Sequence, residues 1–313
     1  MTARVSAMAE NLQELHKEVL RLKTARNAVI LAHNYQLPEV QDVADFLGDS
    51  LELSRKAAGV EADWIIFCGV DFMAETAKII NPGKRVFIPD ARALCPMAGM
   101  LDVEDVARAK KEHPGAPVLL YVNTSAACKA EADYACTSAN AVQIAKAIPE
   151  KEVLFGPDFN LLEFVQERVP EKKFYPVPAR GFCPTHGRIT ALEIYDLKKA
   201  HPAAEIMAHP ECTRNVREMA DHIASTSGML KMARESPATE FIIATECGMA
   251  YRLRKELPQK KFYDVNVTCP RMKLHTLKKV RDSLEFGQYE ITVPKEIAEK
   301  ALKSIQRMMQ MTG

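Results

Sequence analysis

The feature that most constrains the fold of this chain is an internal repeat with a period of 88 residues. Its clearest members are three Cys-Pro pairs, which are spaced by 88 and then 86 residues and begin at Cys95, Cys183 and Cys269. Two further sets keep the same phase, namely His33, Tyr121 and His209, and the hydroxyl residues Ser50, Ser138 and Thr226. A fixed period of this length predicts one supersecondary unit that is used three times.

Each copy of the repeat reads as an α/β unit. Short apolar runs such as "AVILAH", "WIIFCG" and "RVFIP" alternate with longer segments of helical periodicity, which is typical of parallel sheets. We predict an α/β fold of three similar three-layer αβα domains, with short parallel sheets of three strands each, arranged around a pseudo-threefold axis. The expected domains are 1–104 with an N-terminal helix, 105–192 and 193–284, and the C-terminal helix 285–313 is expected to pack on the first domain.

Composition excludes several classes of protein. The 313 residues carry a formal net charge of +1, which offers no global attraction for nucleic acid. The chain shows no signal peptide and no stretch of 18 apolar residues, so we expect a cytoplasmic protein without membrane contact. Eight cysteines are too few for a disulfide scaffold of this size, and we expect them to be thiols or metal ligands.

The repeated positions are predicted to lie at one edge of each sheet. Ligands of open parallel sheets bind beyond the carboxyl ends of the strands, where helix N-termini also point their free N–H groups. We place the His/Tyr set at strand ends, the hydroxyl set at helix N-caps, and the Cys-Pro loops after the third strands. If these edges face a common axis, one member of each set converges from every copy. The hydroxyls are also explained by helix capping alone.

Three thiols without a nearby Cys-x-x-Cys pair are compatible with two kinds of metal site. One is a zinc ion with a vacant fourth position, and the other is a 4Fe-4S cluster with one iron that no cysteine holds. The remaining cysteines have no counterpart at the same phase, and we expect them to serve packing: Cys68, Cys128, Cys136, Cys212 and Cys247.

Several longer motifs occur in a characteristic order from residue 27 to 285. They are "AHNYQ" (32–36), "GDS" (48–50), "CPMAGM" (95–100), "YVNTSAACKAEADYACTSANA" (121–141), "FCPTHGR" (182–188), "AHPEC" (208–212), "STSGM" (225–229), "ATECG" (244–248) and "CPRMKLHTL" (269–277). With these motifs the chain closely resembles the quinolinate synthase (NadA) family.

The resemblance implies an enzyme of NAD biosynthesis that condenses iminoaspartate (iminosuccinate) with dihydroxyacetone phosphate to quinolinate, phosphate and water. It implies a 4Fe-4S cluster held by Cys95, Cys183 and Cys269, whose open iron acts as a Lewis acid. It also implies functional coupling to an enzyme that produces iminoaspartate.

The resemblance further implies a set of substrate contacts. They are His33, Tyr35, Ser50, Tyr121, Asn123, Ser138, His209, Glu211 and Thr226. Among them His33, Tyr35, Tyr121, His209 and Glu211 are expected to be catalytic, with Glu211 as the general base. Some family members carry a Cys-x-x-Cys-x-x-Cys run, but here its first two positions are Tyr263 and Asn266, so we expect no redox switch there.

Two other functions stay open at this point. A zinc-dependent hydrolase or aldolase would use the same three thiolates with an open position on the metal. An α/β repeat protein that binds a small anion without chemistry would use the same helix N-termini.

Overall fold

The computed structural model describes residues 2–311, with side chains from residue 11 onward. In this part of the chain the strands form three sheets of four strands, and neighbouring strands within each sheet run parallel. The predicted α/β class with three similar parallel sheets is therefore confirmed.

The three sheets repeat one strand order. The first holds β1 (Ala28–His33), β2 (Phe46–Gly48), β3 (Trp64–Cys68) and β4 (Arg85–Phe87), in the order β2-β1-β3-β4. The second holds β5 (Val118–Tyr121), β6 (Tyr134–Cys136), β7 (Glu152–Gly156) and β8 (Lys173–Pro176), in the order β6-β5-β7-β8. The third holds β9 (Glu205–Ala208), β10 (His222–Ile223), β11 (Glu240–Ala244) and β12 (Lys261–Asp264), in the order β10-β9-β11-β12.

The prediction of three strands per sheet was wrong by one strand. The missed strands β2, β6 and β10 have only two or three residues, too few to show a period. Before each of them an aspartate accepts the backbone N–H of the neighbouring strand at 2.8 Å, in the pairs Asp45 with Ile30, Asp133 with Val118, and Asp221 with Ile206. These aspartates are 88 residues apart, so the repeat did carry a signal for the edge strands.

Helices connect the strands in every repeat. The N-terminal helix is α1 (Thr2–Ala25), and the first repeat adds α2 (Pro38–Val43), α3 (Ser50–Ala58) and α4 (Asp71–Ile80). The second repeat adds α5 (Val103–Glu112), α6 (Ala126–Ala130), α7 (Ala141–Ala147) and α8 (Phe159–Arg168). The third adds α9 (Ala191–Ala200), α10 (Arg214–Glu218), α11 (Thr226–Glu235) and α12 (Gly248–Glu256), and the chain continues with α13 (Leu277–Phe286) and α14 (Lys295–Gln310). Among the described residues, no helix combines the length and the apolar character that crossing a membrane requires.

The described residues divide into two compact units. The first unit comprises Met1–Leu94 with Pro270–Thr292 and contains the first sheet. The second comprises Cys95–Cys269 with Val293–Gly313 and contains the other two sheets. The three-domain boundaries after residues 104, 192 and 284 stay predictions.

Each unit has its own apolar core. In the first unit, Val19 of α1 and Leu284 of α13 pack with Ile30 and Ile66 of the sheet. In the second unit, one core surrounds Leu120 and Leu154, and another surrounds Ile206 and Ile242. The central strands of all three sheets are thus buried on both faces, as parallel strands covered by helices require.

The C-terminal helix does not follow its prediction. It was expected on the first domain, but α14 packs against α6 and β6 of the second sheet. Ser304 donates to the Lys129 carbonyl at 3.1 Å, and Arg307 donates to the Asp133 carbonyl at 2.8 Å. An amphipathic helix encodes which of its faces is buried but not which sheet covers that face.

His275 makes the first unit sensitive to acid. It is fully buried, and its Nε2–H donates to the Gly69 carbonyl at 2.6 Å. Burial lowers the pKa of His275 from its ordinary value of 6.5 to about 4, although the bond to Gly69 acts in the opposite direction. Between these pH values the unfolded chain binds the proton and the folded chain does not, so stability falls as the pH drops through 6.5 toward 4.

We therefore expect His275 to lower the free energy of unfolding of the first unit by about 2 kcal/mol when the pH falls from 7 to 5. Trp64 in β3 is the one tryptophan of the chain, so its fluorescence during urea unfolding follows this unit. His275→Gln should reduce the difference in the free energy of unfolding between pH 7 and pH 5 by that amount, whereas His16→Gln in α1 should leave this difference unchanged. The same pH dependence in His275→Gln as in the unchanged protein would contradict this account.

Candidate active site

Tight turns follow the first strand of each sheet and carry the predicted strand-end residues. His33 is the last residue of β1, and its Nδ1 accepts the backbone N–H of Tyr35 at 3.2 Å. His209 directly follows β9, and its Nδ1 accepts the backbone N–H of Glu211 at the same distance. When neutral, each imidazole therefore carries its proton on Nε2, and this assignment rests on the hydrogen bond to Nδ1.

Each turn is held by a buried side chain that the sequence analysis missed. Gln41 donates to the carbonyls of Asn34 and Gln36. Lys129 donates to the carbonyl of Thr124, and Arg217 donates to the carbonyl of Cys212. The three donors are spaced by 88 residues, so the phase of the repeat could have revealed them although their residue types differ. All three are buried, and the bonds satisfy carbonyls that would otherwise lie inside the protein without a partner.

The predicted helix-capping role of the three hydroxyls was wrong. The caps of α3 and α11 are Asp49 and Ser225, each one residue earlier, and Ser50 and Thr226 are the first helical residues. Ser138 lies in the turn before α7 and hydrogen-bonds to Tyr121. The backbone N–H groups of Ser50 and Thr226 belong to the first turn of a helix, where an anion can bind them.

In the second unit, side chains from the end of β5, from the second Cys-Pro loop and from the turn after β9 meet around Glu211. The Tyr121 hydroxyl donates to Glu211 Oε1 at 2.6 Å, and His186 Nδ1 lies 2.6 Å from Oε2. The His209 ring stacks on that of His186, with centroids 4.5 Å apart. All four side chains are buried. His186 was not among the predicted residues, because the other two Cys-Pro loops have Ala98 and Met272 at its position and the repeat gave no signal.

The surroundings of Glu211 determine its charge. Burial alone would raise its pKa, but the His186 and His209 imidazoles and the hydrogen bonds from His186 and Tyr121 hold the pKa of Glu211 below its usual range. Burial and the negative charge of Glu211 raise the pKa of Tyr121 well above its ordinary value. At neutral pH Glu211 is therefore an ionised acceptor, and Tyr121 keeps its proton.

The three Cys-Pro cysteines all belong to the second unit, and each is followed after three residues by a 3-10 turn: Ala98–Met100, His186–Arg188 and Met272–Leu274. Cys183 Sγ lies 3.3 Å from His186 Nδ1, and the ligand atoms of Cys183, His186 and Glu211 lie within 4.8 Å of one another. Burial raises the pKa of the Cys183 thiol, and the charges of Glu211 and Cys95 raise it further. A thiolate in this setting requires a cation nearby, so the donor set suits a metal.

The other five cysteines largely behave as predicted. None of the eight cysteines, all of which lie in the described part of the chain, forms a disulfide. Cys68, Cys128, Cys136 and Cys212 are buried, and burial raises the pKa of each thiol. Cys247 is partly exposed, and its Sγ lies 3.5 Å from the Thr268 hydroxyl.

Comparison with known proteins places the chain in one family. Residues 17–310 match the family model described as quinolinate synthetase A protein. A quinolinate synthase from Pyrococcus horikoshii is 54% identical over 301 residues, which cover 96% of this chain and 99% of that protein. Quinolinate synthases from Pyrococcus furiosus and Thermodesulfovibrio yellowstonii are 53% and 52% identical, over 97% and 94% of this chain and 100% and 97% of those proteins.

Gly181 provides a test of how tightly the second Cys-Pro loop is placed. A Cβ at this position would lie 2.0 Å from the Pro157 carbonyl oxygen, so Gly181→Ala must displace the loop. We expect a loss of about 1–3 kcal/mol in the free energy of unfolding. We also expect a changed rate of alkylation of Cys183 by iodoacetamide, which mass spectrometry can measure on the metal-free protein. Gly99→Ala is the control, since an added Cβ there faces open space among the residues that the structure describes. Unchanged alkylation in Gly181→Ala would refute the tight placement.

Proposed function

This chain belongs to the quinolinate synthetase A family, and from that premise we propose that it synthesises quinolinate in NAD biosynthesis. As a member of this family the chain is an enzyme. The proposed reaction condenses iminoaspartate with dihydroxyacetone phosphate and releases phosphate and two water molecules. The observation that carries the proposal is the buried Glu211 carboxylate, which contacts Tyr121 and His186 beside the thiol of Cys183.

We propose that Cys95, Cys183 and Cys269 hold a 4Fe-4S cluster. The raised pKa of Cys183 and its interaction with Cys95 support a shared metal centre, because two neighbouring thiolates repel each other unless a cation lies between them. When bound, the cluster would supply an iron with an open coordination position, a Lewis acid that promotes loss of water. The close group of Cys183, His186 and Glu211 keeps a single zinc ion as the alternative that metal analysis must exclude.

The binding residues suit an anionic substrate. Iminoaspartate carries two carboxylates and the triose carries a phosphate, and each accepts hydrogen bonds from N–H and O–H groups. In the second unit the proposed donors are His209 Nε2–H and the N-terminus of α11 at Thr226, and Ser138 keeps its predicted role in substrate binding. Asn123 Oδ1 is buried and accepts no hydrogen bond from the described residues, which supports a contact with a substrate N–H or O–H. In the first unit His33, Tyr35 and Ser50 keep their predicted roles in substrate binding and catalysis.

Glu211 is the proposed general base. Glu211 is ionised at neutral pH, and a general base must be unprotonated before it can accept a proton during tautomerisation and dehydration. Tyr121 holds a proton against Oε1, and His186 orients the carboxylate at Oε2. Because the group is buried, bulk water is kept away from the reacting atoms.

The substrate iminoaspartate must come from a reaction that oxidises an amino group to an imine. We propose functional coupling to such an enzyme. The net charge of +1 gives no strong overall attraction for nucleic acid.

Metal analysis gives the first test. We expect protein purified without oxygen to be brown and to contain about four irons per chain, with the absorption of a 4Fe-4S cluster. Cys183→Ala should lose most of this iron, whereas Cys136→Ala, which changes a buried packing thiol, should keep it. Colourless protein with one zinc per chain would contradict the cluster.

Replacement of the base gives the second test. Glu211→Gln should lower the rate of quinolinate formation by about 100-fold or more, since general base catalysis contributes at least that much, while the iron content stays unchanged. Iminoaspartate can be generated in the assay by oxidation of L-aspartate. Glu218→Gln on the exposed face of α10 is the matched control. If Glu211→Gln retains full turnover, the assigned role of Glu211 is wrong.

A further inference from the structure

Asp158 supports the second Cys-Pro loop through the backbone. Its Oδ2 accepts the N–H of Cys183 at 2.9 Å, and its Oδ1 accepts the N–H of Leu161 at 2.7 Å. Asp158 is the N-cap of α8 and is 1% exposed. A single carboxyl group thus joins the start of a helix to the amide of a cysteine.

Glu246 repeats this arrangement in the third Cys-Pro loop. Its Oε1 accepts the N–H of Cys269 at 3.1 Å, and its Oε2 accepts the N–H of Gly248 at 2.7 Å. Glu246 is fully buried and lies 88 residues after Asp158. The corresponding residue of the first repeat is Val70, which has no side-chain acceptor.

Two further hydrogen bonds connect these loops to each other. Arg188 donates to the carbonyl of Thr268 at 2.5 Å, and Thr268 directly precedes Cys269 in the sequence. His186 Nε2 lies 2.8 Å from the hydroxyl of Thr245, and Thr245 directly precedes Glu246 in the sequence. The second and third Cys-Pro loops therefore form one hydrogen-bonded framework within the second unit.

We propose that Asp158 and Glu246 are positioning residues that fix the backbone of Cys183 and Cys269 before the metal binds. This inference rests on the proposed role of these cysteines as cluster ligands. Because each cysteine N–H is held by a carboxyl oxygen, the direction of the Cα–Cβ bond, and hence the reach of the thiolate, is set by the protein. Groups that orient metal ligands in this way affect metal retention strongly, by about 10- to 100-fold when they are removed.

Two substitutions separate this role from simple helix capping. Asp158→Ser keeps a good N-cap for α8, but the shorter side chain cannot also reach Cys183 N. Glu246→Gln retains the shape of the side chain but leaves one oxygen for two N–H donors. The matched controls are Asp102→Ser, which changes the N-cap of α5, and Glu240→Gln at the opposite end of β11.

The experiment loads each anaerobic protein with iron and sulfide and follows iron loss to a chelator, together with the visible circular dichroism of the loaded centre. We expect iron loss about 10-fold or more faster in Asp158→Ser and Glu246→Gln, an altered visible signal, and behaviour like the unchanged protein in both controls. Far-UV circular dichroism of the metal-free proteins establishes folding, and Glu246→Gln decides the question if Asp158→Ser is unfolded.

The outcomes separate the two proposals. Unchanged protein that takes up no iron would remove the proposed cluster and this inference with it. Unchanged protein that loads normally, with both variants losing iron at the same rate and giving the same visible signal, would overturn only the inference. Equally fast loss in the controls would also overturn it, because the effect would then follow from stability alone.

Discussion

A carboxylate buried as completely as Glu211 is costly unless both of its oxygens are satisfied, and the second unit is organised around this requirement. Tyr121 satisfies one oxygen and His186 the other, and these partners come from different sheets or loops. Their convergence depends on parallel pairing, which places the carboxyl ends of β5 and β9 at the ligand-binding edges of their sheets. Burial and the charge of Glu211 both raise the pKa of Cys183, so this thiol and the carboxylate are electrostatically linked.

The repeat preserves geometry more closely than it preserves chemistry. At one repeated position a glutamine, a lysine and an arginine make the same kind of bond to a turn carbonyl. At another, Asp158 and Glu246 hold cysteine amides while Val70 does not. A backbone that needs a donor or an acceptor at a given point accepts any side chain that reaches it. Functional differences between the copies therefore concentrate in residues such as His186, which has no equivalent elsewhere.

The sequence predicted the parallel sheets and the Cys-Pro loops, because both leave local patterns that recur at 88 residues. It did not predict β10, since two residues show no period, and it placed the caps of α3 and α11 one residue late, since Asp49 and Ser225 compete with their neighbours for the same role. His186 and the hydrogen-bond pairing of Glu211 with Tyr121 and His186 were out of reach for a different reason. Their contacts join residues 25 to 90 positions apart, and such contacts depend on tertiary structure that no local pattern encodes.

The first unit is completed by α13 and Tyr289, which lie near the C-terminal end of the sequence, and this order affects folding during synthesis. Leu277, Val280 and Leu284 complete the core of the first unit, and Tyr289 pairs with Ile88 through two backbone hydrogen bonds. Synthesis proceeds from the N-terminus, so the first sheet emerges from the ribosome long before the segment that covers it. Residues 95–269 have all been translated by then. The unit that begins the chain is therefore among the last parts that can finish folding, and a nascent chain stalled before residue 277 would display its open apolar face to chaperones.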